Sequence, residues 1–329
     1  MEGGARARTH RLRLSGRLKA TLFFTLLVLE VGIAGYLLFY LHKKPVSSVP
    51  IKKSEVVFPE SGFKFFYEPL ANATIKEEVS GGIKTINSDT LNERFEYPVE
   101  KGGGVFRIIT LGDSFTYGAF ESTSDNYPEQ LEDALNRLCK NGKFEVINLG
   151  MNGYDIDYEI ERYRLRGVKY EPDLVLWYVK DDDFDVPPEL IWSIMDGYTQ
   201  EERHAFEEKD RKNSLTNSGY AHATEVVKNT YGKEVLVQRA RLSMEKIKTL
   251  YGGKLLIFNS GRHGRFNEEI ADFAAQTPNA EFYRDLVSIY DDADNYWPDT
   301  HPTKSGYALI AEDLRTYLVT RGYFECKGA

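Results

Sequence analysis

Cysteine is nearly absent: the 329 residues hold two, Cys139 and Cys326. They can pair in an oxidising compartment, but sequence alone does not establish that they meet. Cys139 ends an amphipathic run and reads first as a small buried apolar residue. No internal repeat is visible, which excludes a repeat architecture. Long apolar runs are missing outside residues 20–41, so no other segment suggests a deep lipid tunnel. The body is also short of positive charge. The chain carries a net −8; residues 1–44 hold eight basic and two acidic side chains, +6, which leaves −14 on the other 285 residues. An acidic body argues against broad nucleic-acid binding, whose affinity rests on neutralising phosphates. The composition, 42% apolar and 28% charged, excludes wholesale disorder, and the length suits one large domain or two small ones.

Segment 20–41 (ATLFFTLLVLEVGIAGYLLFYL) has a single charge, Glu30. A helix of that length crosses about 30 Å of hydrocarbon. Six basic residues precede it, which places the N-terminus in the cytoplasm and the body outside. A cleaved signal peptide is the alternative, with small residues at Gly32, Ala34 and Gly35, and a buried soluble helix is a third reading. Glu30 costs about 3 kcal/mol at mid-bilayer and could mark a partner helix. The expected organisation is a basic segment 1–19, a transmembrane helix 20–41, a linker and irregular extension 42–104, and a domain 105–329 with an insertion at about 184–232.

From residue 105 onward strand-length apolar runs alternate with helical periodicity. Strands are expected at 106–111 (FRIITL), 144–149 (FEVINL), 173–179 (DLVLWYV), 254–259 (KLLIFN) and 280–287. Helices are expected at 127–140, 155–168, 233–250, 267–275 and 303–320. This order predicts an α/β fold, a parallel sheet with helices on both faces. The insertion is long, charged and poorly periodic, and reads as a lid or a peripheral helical subdomain. Asn72-Ala73-Thr74 fits a glycosylation sequon, which matters only in an organism that glycosylates.

Functional groups in such a sheet gather where strands end. After the first strand comes Gly112-Asp113-Ser114-Phe115, after the second Asn148-Leu149-Gly150-Met151-Asn152-Gly153, after the third Lys180-Asp181-Asp182-Asp183-Phe184. Asp299-Thr300-His301-Pro302 precedes the last helix. A serine, a histidine and a carboxylate supply the nucleophile, the base and the orienting group of acyl transfer. Taken singly, each has a bland reading: Ser114 as a helix cap, His301 as a loop histidine, and residues 181–185 and 291–294 as solvated acidic turns. A calcium site at 181–185 is a further rival. His263 follows the fourth strand and could line the cleft. Tyr117, Phe120, Tyr154, Phe184, Trp192, Tyr296 and Trp297 suit either an aromatic-walled cleft or a packed core.

In order and spacing these elements resemble blocks I, II and V of the SGNH, or GDSL-like, hydrolases, over roughly 105–323. The resemblance implies a three-layer α/β/α sandwich with a parallel flavodoxin-like sheet. It implies esterase, lipase, carbohydrate O-deacetylase or O-acyltransferase chemistry without a metal cofactor. By it Ser114 is the nucleophile and His301 the base. Asp299 orients His301 from two residues away; the commoner spacing of three falls on Pro298, and Asp294 is the reserve. The N–H groups of Ser114 and Gly153 form the oxyanion hole, with Gly150 as the alternative to Gly153. The third block, Gly-Asn-Asp in the family, falls on Asp181-Asp182-Asp183. That puts Asp182 where the family has an amide donor, and an ionised carboxylate there repels the developing charge. Three readings stay open: Asp182 is protonated, Asn152 substitutes as donor, or catalysis is weak or absent.

The expected protein is therefore a membrane-anchored serine esterase or O-acyltransferase outside the cytoplasm. Its partner is a small acyl ester, such as acetyl on a glycan, and the insertion is suited to excluding water and favouring transfer. A noncatalytic glycan-binding or scaffold protein is the rival from another class, and a lipase the third reading.

Overall fold

The computed structural model describes residues 56–139, 143–212, 217–259 and 264–326. The expected membrane segment 20–41, its basic flank and His263 lie outside the described residues. Among the described residues no helix is long and apolar enough to cross a membrane.

Five strands form one sheet: β1 (Val105–Leu111), β2 (Lys143–Asn148), β3 (Leu174–Tyr178), β4 (Lys254–Phe258) and β5 (Ala280–Tyr283). They stand in the order β2-β1-β3-β4-β5, and every pairing is parallel. Alternate residues of each strand leave on opposite faces, so a strand buried on both sides is apolar throughout. Ile109, Val175, Trp177 and Ile257 enter one core. Ile108, Leu174, Leu176 and Leu256 enter the other. The nine helices used here are α1 (Ser114–Tyr117), α2 (Tyr127–Leu138), α3 (Ile156–Arg162), α4 (Asp182–Asp185), α5 (Pro188–Asp196), α6 (Gln200–Lys212), α7 (Ser218–Met244), α8 (Asn267–Ala275) and α9 (Lys304–Thr320). α3, α7 and α8 bury Ile156, Ile160, Ala240, Met244, Ile270 and Phe273 against the first face. α2 and α9 bury Leu131, Leu135, Tyr307, Ile310, Leu314 and Leu318 against the second. The result is the expected α/β/α sandwich. The last strand stops at Tyr283, four residues short of the expectation, and Leu309 of α9 faces outward, 38% exposed.

The insertion is helical: α4, α5, α6 and the first half of α7, which breaks at Gly232 (φ 73°, ψ 159°) before its second half docks on the sheet. It holds a small core around Ile191, Ala223 and Val227, joined by Leu236 from the second half of α7. Residues 56–104 contain only short strand pairs, Val56–Val57 with Glu68–Pro69 and Thr74–Lys76 with Ile83–Thr85. Yet they are folded onto the sheet domain. Buried guanidinium groups, which are tolerated only when paired, fasten them. Arg107 donates to Glu145 at 2.7 and 2.9 Å and to the carbonyls of Pro98 and Val99. Arg162 bridges Glu68 and Thr90. Cys139, at the end of α2, is buried and also disulfide-bonded to Cys326 beyond α9, with Cα atoms 5.0 Å apart. The pairing joins positions 187 residues apart, a contact that no local pattern could show.

One buried acid gives a pH-dependent prediction. Glu132 of α2 accepts hydrogen bonds from the Val146 N–H (2.7 Å) and the Tyr97 hydroxyl (2.8 Å). Burial outweighs those bonds and pushes its carboxyl up to about 7. Below the ordinary glutamate range both folded and unfolded chains hold this proton. As pH rises from there to about 7 the unfolded chain releases it first, and stability falls by about 3 kcal/mol. Glu132→Gln removes that loss. Its melting temperature relative to wild type is expected to be higher at pH 8 than at pH 4.5; an equal difference at both pH values would contradict the assignment.

Candidate active site

The site lies at the carboxyl edge of the sheet, around the ends of β1 and β3, where the strand order reverses and open parallel sheets bind ligands. β1 is followed by Gly112, whose φ is +153°. A Cβ there would stand 2.1 Å from Thr116 Oγ1, so only glycine lets the chain turn this tightly into α1. The Asp113 carboxylate caps α1 by accepting the Phe115 N–H at 2.9 Å. Ser114, the first residue of α1, is thereby presented at the edge, 9% exposed.

His301 reaches Ser114 from the other side of the cleft. Its Nε2 is 2.7 Å from Ser114 Oγ, and its Nδ1 is 2.9 Å from Asp299 Oδ2. With the proton on Nδ1, held by the carboxylate, Nε2 accepts the serine hydroxyl. The two-residue spacing works because the turn is tight. Trp297 N–H donates to the His301 carbonyl (2.7 Å), Thr300 N–H donates to the Trp297 carbonyl (2.8 Å), and Thr300 takes φ +78°. A β-branched residue in that region is costly and persists where its surroundings hold it. Asp299 Oδ1 also accepts the His301 N–H at 3.2 Å. Asp294, the reserve, is exposed and tied into its own loop through Thr303. Phe115 and Phe120 flank the imidazole, with ring centroids 5.2 and 5.1 Å away.

The loop after β2 packs directly on α1. A Cβ on Gly150 would meet the Tyr117 nitrogen at 2.4 Å, and Asn148 donates to the Thr116 carbonyl at 2.8 Å. The Gly150 N–H is taken by Asn148 Oδ1 at 2.9 Å, so Gly150 serves the packing and not an oxyanion. Gly153 is exposed at the cleft. Beside it Asn152 lines the cleft, and its buried Oδ1 has no hydrogen-bond partner among the described residues.

The acidic run after β3 is neither a plain solvated turn nor an open cation site. Asp181 accepts from Arg265, and Asp185 pairs with Lys228 and Arg265. Asp113, Asp182 and Asp183 each bring an oxygen within 4.8 Å of the others. The cation among them is Lys180, whose Nζ is 3.0 Å from Asp113 and 3.4 Å from Asp182. Desolvation pushes the Asp182 carboxyl up, but the Lys180 ammonium prevails and holds it below the ordinary range. Asp182 is half-exposed, and its pairing with Lys180 favours the carboxylate over the protonated donor. The acid pushed in the opposite direction is its neighbour. Burial, with Glu159 and Asp113 nearby, drives Asp183 well above the usual aspartate range.

The cleft encloses about 380 Å³. Tyr67, Ile75 and Lys76 of the N-terminal segment line it, as do Trp192 of α5, Asn217, which caps α7, and Tyr220 of α7. Of the aromatic residues singled out in the sequence, Tyr117, Phe120, Tyr154 and Trp192 line it. Phe184 instead stacks on Phe266 in the core, and Trp297 packs behind Ala119 and Phe120. Lys180, Tyr67 and Tyr220 were not legible as site residues: a strand-end lysine, an irregular segment and an aperiodic insertion carry no spacing signal.

A parallel α/β sheet presenting a serine, a histidine and a carboxylate hydrogen-bonded in series has the groups that nucleophilic acyl transfer requires. No protein-family model matches the chain, and no curated protein does. Among solved structures it is similar to a two-domain esterase (CEX) active on acetylated mannans, at 16% identity and a TM-score of 0.39. That similarity covers 67% of this chain and 50% of the other, so the chain spans half the length of that esterase. It is also similar to the psychrotrophic esterase EstA from Pseudoalteromonas sp. (15% identity, TM-score 0.39, 65% of this chain and 97% of the other). A third is the lipase/acylhydrolase from Enterococcus faecalis (14% identity, TM-score 0.37, 68% and 100%). What the site can do rests on its own groups.

Proposed function

We propose that this protein is a serine esterase or O-acyltransferase of the SGNH type, anchored in a membrane with its active domain outside the cytoplasm. Its substrate is a small acyl ester, such as acetyl on a glycan. The observation that carries the reading is the unbroken hydrogen-bonded series Asp299–His301–Ser114 at the sheet edge. Ser114 Oγ attacks the ester carbonyl while His301 Nε2 takes its proton, and Asp299 stabilises the imidazolium. The N–H groups of Ser114 and Gly153 donate to the oxyanion. His301 returns the proton to the departing alcohol, leaving an ester on Ser114. Water, or the hydroxyl of a second sugar, then takes the acyl group by the same steps in reverse. Aromatic and amide groups on the cleft walls, Trp192, Tyr220 and Asn217, suit a sugar ring. Turnover of p-nitrophenyl acetate by the purified chain tests the reading; no turnover of any short acyl ester would overturn it.

A specific observation favours the rival reading of a weak or noncatalytic glycan-binding protein: the ionised Asp182 stands where the resemblance places an amide donor. Asp182→Asn separates the two. It is expected to retain or raise esterase turnover, by up to the roughly 100-fold that one oxyanion donor is worth. A large loss would show that the carboxylate has a role of its own.

A further inference from the structure

We propose that Lys180 is a positioning residue of this site: its ammonium grips the Asp113 and Asp182 carboxylates and offsets one of their two charges beside Ser114, so that an oxyanion can form where an acid replaces the amide. The inference rests on the serine-hydrolase reading above.

Lys180 leaves the end of β3 and its side chain is 15% exposed. Its backbone N–H donates to Asp183 Oδ2 at 2.6 Å, which fixes the start of the chain's path. Its ammonium lies 3.9 Å from the Phe115 ring centroid, the ring next to Ser114 that also faces His301. A cation over an aromatic face is held by the ring quadrupole as well as by the carboxylates.

Two consequences follow for the reacting serine. Asp113 Oδ2 lies 3.3 Å from Ser114 Oγ and competes with His301 for the serine proton. Lys180 Nζ donates to that same oxygen at 3.0 Å, which weakens it as an acceptor and leaves the hydroxyl to Nε2. The second consequence concerns charge. By the resemblance Asp182 stands where the family has its oxyanion donor, and Lys180 is its counter-ion. The groups that face the ammonium are Asp113 from the turn before α1, Asp182 and Asp183 from α4, and the Tyr178 and Tyr290 hydroxyls. Burial would favour a neutral amine, but Asp113 and Asp182 keep it charged, its pKa well above the ordinary lysine range.

The test compares Lys180→Met, Asp182→Asn and the double variant in the full chain, with kcat, KM and the pH profile of p-nitrophenyl acetate turnover. Lys180→Met is expected to lower kcat about 100-fold with little change in KM. Two uncancelled carboxylates also favour the imidazolium, so the acid limb of kcat/KM moves to higher pH. In the Asp182→Asn background the same lysine substitution is expected to cost less than about tenfold, because one of the two charges is gone. If Lys180→Met does not fold, Lys180→Gln, which keeps a donor but not the charge, is read in the same way. Equal losses in both backgrounds with an unmoved pH profile would reduce Lys180 to a structural partner of Asp113 and overturn the inference. So would a Lys180→Met enzyme within threefold of wild type. Absence of turnover in wild type itself would instead overturn the serine-hydrolase reading and this inference with it.

Discussion

Ser114→Ala is expected to lower ester turnover by about 10⁴-fold or more while leaving the fold intact. The size of the effect follows from the geometry. Ser114 Oγ, 2.7 Å from His301 Nε2, is the one hydroxyl in the series, and its removal leaves the base with nothing to deprotonate but water. The fold should not notice. The cap of α1 is the Asp113 carboxylate, and the turn depends on Gly112, so alanine at the next position keeps both. The melting temperature is expected within about 2 °C of wild type, a stability change well under 1 kcal/mol. Steady-state turnover of p-nitrophenyl acetate, read beside a thermal melt, checks both halves. Residual activity above about 1% of wild type in a folded variant would place the nucleophile elsewhere.

The second large effect is expected from Asp299→Asn, a loss of about 10³- to 10⁴-fold in kcat. Asparagine fills the same space and can still accept the His301 N–H that Asp299 Oδ1 takes at 3.2 Å, so the turn survives. Its amide, however, can donate to Nδ1. That moves the ring proton to Nε2 and removes the acceptor for the serine hydroxyl. The carboxylate's stabilisation of the imidazolium is lost as well. KM is expected to change little, because Asp299 acts on the base and not on the substrate. A loss under tenfold would reduce Asp299 to a turn residue.

The strands and the groups at their ends were legible because they obey local rules. β1 and β3 are buried on both faces, and their apolar runs could be read within a residue or two of their bounds. Gly112 before Asp113-Ser114 marks a turn that only glycine permits. Asp299 was legible despite its short spacing, and the structure shows how that spacing is met, through the positive φ of Thr300. What could not be read depends on contacts between distant parts of the chain. Residues 56–104 lack periodicity because irregularly spaced residues such as Phe66, Tyr67 and Ile86, packed on Tyr154 and Tyr158, together with the ion pairs of Arg107 and Arg162, hold them in place. α6 buries no residue, so its sequence shows no amphipathic pattern to find. The protonation state of Asp182 was open in the sequence. It is biased toward the carboxylate by Lys180, two residues away, whose side chain folds back among Asp113 and Asp182. The acidic character of the site is therefore less than the run of aspartates suggests, since one acid is paired, one is pushed toward its neutral form by burial, and two face arginine or lysine outside the cleft.

The central claim is that Ser114 is an activated nucleophile, and a fluorophosphonate probe tests it most directly, because the probe phosphonylates a serine only where a base accepts its proton. Wild-type protein is expected to gain one probe per chain, mapped by mass spectrometry to Ser114, and Ser114→Ala to gain none. Unlabelled wild-type protein, or labelling that persists in Ser114→Ala, would contradict the account.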